Sequence, residues 1–206
     1  CVENIYINSR LDNFKIIASL DLDDTSMNNE EVINKMRAYD RLYPIWGKSI
    51  NKIDAINRSM SQAPDFDILI NTSDDMLFVQ QGFDSEIVAD MLTWFPDTDG
   101  FLAYNAGNQK DNVCTMSIMG SKYYERFGYI YHSDYKSVWC DMEATDVAKI
   151  LGKYKYLGDE RILFKHFHPA RGLTEYDRQY QKTESPQMYE DDKATYDIRK
   201  AINFGL

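Results

Sequence analysis

Two apolar runs end in acid, and that pattern constrains the chain more than anything else in it. Residues 14–20 (FKIIASL) run into DLDDT at residues 21–25, and residues 66–70 (FDILI) run into NTSDD at residues 71–75. Short β-branched runs of this kind read as buried strands. Carboxylates at the carboxyl end of a buried strand have no packing role, and in open α/β sheets that edge is where ligands bind. Paired Asp oxygens at such an edge suit a hard divalent cation, Mg²⁺ or Mn²⁺. The plainer alternative is a solvated turn in which Asp74 caps the residues after it.

Helical spacing fills the gaps between these strands. Asn28 and Asn29 are placed to cap a helix with Glu30 and Glu31 in its first turn, Val32, Ile33, Met36 and Tyr39 on its apolar face, and Pro44 closing it. A second helix carries Ile50, Ile53, Ile56 and Met60 in one stripe. Lys48, Asn51, Lys52 and Asn57 lie at or near its start. Asp84 is expected to cap a third helix, with Ile87, Val88, Met91, Leu92 and Phe95 facing inward. Strands are expected within residues 99–106, 113–119, 154–157 and 161–167, short helices at 120–127 and 141–151, and a closing helix at 190–204. Residues 172–187 are polar and Tyr-rich, with no structure assigned. Strand–helix alternation through about residue 95 implies βαβ units and a mostly parallel sheet. The expected fold class is therefore α/β, a Rossmann-like sheet flanked by helices, in one domain of 206 residues.

Charge narrows the partners. A net charge of −10 argues against unaided binding to nucleic acid or to anionic membrane, and is compatible with a carboxylate-held cation. Cys1, Cys114 and Cys140 show neither CxxC spacing nor an even count, which fits a reducing cytoplasm without disulfides or a zinc knuckle. No apolar run is long enough to span a bilayer, and no signal-peptide pattern is visible. The first residue is Cys1 rather than Met, as expected for a fragment.

Two further groups carry chemistry. Asp141 and Glu143, in DMEATD at residues 141–146, fall in the first turn of a helix, where its dipole stabilises carboxylates. For either residue taken alone, plain N-capping is the preferred explanation. The apolar neighbours Trp139 and Cys140 would raise one carboxyl pKa and make it a base. His166 and His168, two apart on an expected strand, face one side about 6.6 Å apart. One imidazole there could ligate a cation while the other supports it, unless both simply mark an exposed strand end before Pro169.

Together these residues resemble a glycosyltransferase of the GT-A fold, family-two-like, over residues 14–170. Ser73-Asp74-Asp75 is similar to the degenerate D-x-D motif that holds the metal bridging a nucleotide-sugar diphosphate. SLDLDD at residues 19–24 resembles the acidic segment contacting base and ribose, and KSINKIDAIN at residues 48–57 the helix after the donor pocket. DMEATD resembles the acidic pair that supplies the base in inverting members, and His166 the metal-binding His after the last core strand. The opening strand of that fold is missing from these residues, and S-D-D replaces D-x-D.

The resemblance implies transfer of a sugar from a UDP- or GDP-sugar donor to an acceptor hydroxyl, metal-dependent and inverting. Asp75 and His166 would bind Mn²⁺ or Mg²⁺. Asp21, Asp23, Lys48, Lys52 and Asp74 would contact the nucleotide. Glu143, or failing that Asp141, would be the catalytic base, with Tyr123, Tyr124 and Trp139 as an aromatic platform for the acceptor. Three competing readings remain. DLDDT literally matches the D-x-D-x-T motif of haloacid-dehalogenase-type phosphatases, with Asp21 as nucleophile. A nucleotidyltransferase would need a Gly-rich basic loop that is not visible. A non-catalytic carbohydrate-binding module would need neither nucleotide nor metal.

Overall fold

The structure, a computed structural model, describes residues 1–105, 111–158, 161–167 and 185–206. The chain is a mixed α/β fold. After α1 (Val2–Asn8), a βαβ unit runs through β1 (Ile16–Asp21), α2 (Glu30–Met36) and β2 (Leu42–Gly47), with β1 and β2 parallel and in register from Ile16 opposite Leu42 to Asp21 opposite Gly47. Helix α3 (Lys52–Met60) packs on β1 and leads to β3 (Ile68–Ile70). Next come β4 (Met76–Phe78), α4 (Phe83–Trp94), β5 (Phe101–Ala103), β6 (Ile118–Gly120), α5 (Ser121–Glu125) and α6 (Cys140–Ile150). The described residues end with β7 (Tyr154–Tyr156), β8 (Phe164–His166), α7 (Pro186–Ala201) and a 3-10 turn at Asn203–Gly205.

Hydrogen bonding divides the strands into the parallel β1–β2 pair, a four-stranded sheet in the order β3-β6-β5-β7, and a β4–β8 pair. In the central sheet β5 and β7 are parallel, whereas β6 runs antiparallel to both β3 and β5. Parallel pairing is thus concentrated in the βαβ unit and the β5–β7 edge.

The central sheet is buried on both faces, and its two-residue period sorts the side chains. Phe101, Ala103 and Met119 join Ile53, Tyr123, Val147, Ala148 and Tyr196 in one core. Leu102 and Ile118 point the other way, into a core with Ile5, Met76, Phe78, Phe83, Ile87, Met91 and Phe164.

Two local expectations differ from what is seen. Residues 42–47 form a strand rather than the end of the preceding helix, because β2 is bonded only to β1 and an edge strand tolerates Pro44. Helix α4 is capped by Gly82, whose φ of +80 favours glycine. Asp84 instead lies in the first turn and accepts N–H groups from Arg10 (3.0 Å) and Leu11 (2.8 Å), fastening the chain after α1. The loop at Gly107 and Asn108, the segment 172–184 and His168 lie outside the described residues.

Candidate metal and donor site

The β4–β8 ladder brings distant chemistry together. Its register sets Met76 opposite His166, and the ladder continues as Phe167 N–H donates to the Asp75 carbonyl at 2.9 Å. The Asp75 and His166 side chains therefore meet where β4 starts and β8 ends, with Oδ2 and Nε2 3.0 Å apart. Both are largely withdrawn from water, their side chains 14% and 12% exposed. Ser73 Oγ donates to the other carboxylate oxygen of Asp75, which fixes its orientation. Met76 and Phe78 are buried immediately beyond, so the pair sits on a rigid apolar floor.

The pair fits a divalent cation. Donors about 2.1 Å from an octahedral ion lie about 3.0 Å apart at adjacent vertices, and the observed separation is 3.0 Å. A hydrogen bond between imidazole and carboxylate has the same length. Among the described residues no group of three or more His, Cys, Asp and Glu side chains is arranged to hold a metal. The remaining coordination sites of such an ion would belong to water and to ligand oxygens, as is usual for Mg²⁺.

The other expected site residues fall into two sets. At the end of β1, Asp21 Oδ1 accepts from Ser49 Oγ at 2.5 Å and lies 3.7 Å from Arg58. Arg58 also donates to Ser49 Oγ (2.6 Å) and to the Leu20 carbonyl (3.3 Å), so one guanidinium ties the strand tip to the loop before α3. A Cβ at Gly47 would meet the Arg58 guanidinium at 2.7 Å and displace it from this position. Asp23, Lys48, Lys52 and Asp74 are exposed and face solvent. The amides of α3 are used structurally. Asn51 accepts the Asp54 N–H at 2.8 Å as the N-cap. Asn57 donates to the Tyr131 carbonyl at 2.6 Å and accepts from Ile130 at 3.0 Å.

That Asn57 contact links α3 to the segment leading into α6. Tyr131 is buried, and its hydroxyl bonds Asn71 (3.2 Å) and Ser117 (3.1 Å), reaching the loop after β3. Burial, then the charges of Cys140 and Asp141, pushes this hydroxyl well above its ordinary pKa. Lys52 and Asp141 act with opposite sign on the buried Cys140 thiol, which burial raises well above its usual value.

Glu143 is different from Asp141. It is 4% exposed. Arg199 grips both its oxygens, Nε to Oε2 at 2.7 Å and Nη2 to Oε1 at 2.8 Å. The Tyr135 hydroxyl adds a third donor at 2.7 Å. With Tyr129 and His132, Glu143 borders a partly open pocket of about 30 Å³. A carboxylate so engaged is not open to an acceptor hydroxyl. Asp141, half-buried at the start of the same helix, accepts its neighbour Met142 N–H at 2.8 Å. The expected aromatic platform is also used elsewhere: Tyr123 is core, Tyr124 donates to the Gly128 carbonyl (3.1 Å), and Trp139 packs against Tyr189 and Tyr196.

Nothing in the sequence marks Arg58, Tyr135 and Arg199 as members of these clusters. Each is a single polar residue on a helix or loop whose partner lies apart from it along the chain, and no local spacing announces it. The described residues contain no helix long and apolar enough to cross a membrane, and all three cysteines are free.

No protein-family model matches the chain, and no curated protein matches it. Among solved structures it is similar to the catalytic domain of Drosophila beta1,4-galactosyltransferase 7 in complex with xylobiose, with 14% identity, a TM-score of 0.47, and coverage of 83% of this chain and 79% of that one. A likeness of that size assigns neither residues nor activity.

Proposed function

We propose that the chain is a metal-dependent glycosyltransferase that moves a sugar from a UDP- or GDP-sugar to an acceptor hydroxyl with inversion. The observation that carries this reading is the convergence of Asp75 and His166 where β4 starts and β8 ends, a carboxylate and an imidazole spaced as two ligands of one cation. The two side chains would hold Mn²⁺ or Mg²⁺. When bound, that cation neutralises charge developing on the diphosphate leaving group.

Lys48 and Lys52 add positive potential in a protein of net charge −10. Asp74, Asp23 and Asp21 supply acceptors for ribose and base, Asp21 from an orientation set by Ser49 and Arg58. Asp141, rather than the engaged Glu143, takes the proton from the acceptor hydroxyl as the sugar migrates. Three free thiols accord with a reducing compartment such as the cytoplasm.

Calorimetry with UDP and GDP, each with and without Mn²⁺, tests the reading. Binding should require the ion and disappear in Asp75→Ala. Equal binding without metal would remove Asp75 and His166 from the proposed role. Hydrolysis of p-nitrophenyl phosphate lost in Asp21→Asn would favour the phosphatase reading instead.

A further inference from the structure

Helix α7 reaches back to the turn that launches α6. Asp192, 1% exposed, accepts three backbone N–H groups from that turn: Lys136 at 3.0 Å, Ser137 at 2.8 Å and Val138 at 2.8 Å. One turn into α6, Arg199 from the same helix grips Glu143. Between these anchors lies Trp139, the residue before α6, in a left-handed conformation with φ +63 and ψ −14. A bulky residue keeps that backbone only where its surroundings over-determine it, and such positions cluster at functional sites. The surroundings here are again α7, whose Tyr189 and Tyr196 rings pack on the indole and whose Lys193 ammonium lies 5.1 Å from its centroid.

Three N–H groups gather on one buried carboxylate, and a left-handed backbone is kept two residues before Asp141. We infer that α7 is a clamp that positions Asp141 for catalysis, with Asp192 and Arg199 as its positioning residues. The catalytic half of this inference rests on the sugar-transfer reading above. The mechanical half does not. Neither residue touches substrate. They act by holding the backbone from which Asp141 projects.

Asp192→Asn in the full chain tests it, because the amide keeps the side-chain size while losing the charge. Hydrogen exchange should show the amides of residues 136–138 opening about 10- to 100-fold faster. With Mn²⁺ and a panel of UDP- and GDP-hexoses, kcat should fall roughly tenfold while the donor KM stays within about twofold, the signature of misplaced chemistry rather than lost binding. Arg199→Lys should move both readouts in the same direction, and serves if Asp192→Asn does not fold. Glu190→Ala, on the exposed side of the same helix, should move neither. Unchanged amides would overturn the clamp. So would kcat and donor affinity falling together, or Glu190→Ala reproducing the effect. If the wild type binds no nucleotide with Mn²⁺, the sugar-transfer reading fails with the catalytic half, and exchange alone decides the clamp.

Discussion

Two short acidic stretches, Ser73-Asp74-Asp75 and Asp141-Met142-Glu143, look alike as sequence and are used in opposite ways. At the first, a carboxylate meets an imidazole at the end of a strand, 3.0 Å apart and still 14% open. At the second, a carboxylate disappears behind an arginine and a tyrosine. The partner decides which becomes a site. Arginine stays charged at any working pH and, with its fork of donors, consumes both oxygens. Histidine can give up its proton and share a ligand. Acid clusters near strand and helix ends are therefore candidates only until the residue facing them is known.

The largest effect should come from breaking the buried pair. Arg199→Ala leaves Glu143 charged and uncompensated, and should cost about 3–5 kcal/mol in denaturant-monitored unfolding. Replacing both partners with apolar residues of similar size should recover most of that loss. A cost below about 1 kcal/mol would mean that the pair behaves as a surface contact and that the contrast between the two regions is false.

Next in size, Asp75→Ala should weaken Mn²⁺-dependent nucleotide binding about 100-fold, as loss of a metal-site residue does, with little change in melting temperature. A large drop in stability with unchanged binding would reverse the assignment and make Asp75–His166 the structural pair.

Asn57 joins the two regions through its bonds to Ile130 and Tyr131. Asn57→Ala should cost about 1–3 kcal/mol by leaving backbone groups unpaired. If the regions are coupled, it should also loosen amide exchange on both sides of the link. An effect confined to α3 would show that they are independent.

The smallest effect concerns pH. Burial first, then Arg199, holds His132 below its ordinary pKa of 6.5. Protonation is thus disfavoured in the folded state, so stability present above pH 6.5 declines as pH falls below it. Melting curves should show a slope there that His132→Gln reduces. An unchanged slope would separate His132 from the Arg199 cluster.

How much of this was legible in the sequence depends on how far each signal extends. Buried runs such as residues 14–20 and 66–70 identify themselves, because apolar continuity is local. Asp75 and His166 are paired in the sequence through the resemblance to GT-A glycosyltransferases, since by themselves they mark only the ends of two apolar runs. Residues 42–47 were hidden by Pro44, which breaks strand patterns everywhere except at an edge. Glu143 was misleading for a related reason: its helix position is correct, but Arg199 lies 56 residues away, and nothing near either residue announces the pairing. Asp84 failed the same way, its place at the helix start legible and its real partners at Arg10 and Leu11 not.

The central claim is that one imidazole and one carboxylate, where β4 starts and β8 ends, hold a cation together with a nucleotide diphosphate. Electron spin-echo spectroscopy of the protein with Mn²⁺ and UDP or GDP reads this directly. The account predicts nitrogen modulation from a coordinated imidazole together with phosphorus coupling, and loss of the nitrogen signal in His166→Gln. Bound manganese without nitrogen coupling in the wild type, or no bound manganese at all, would contradict it.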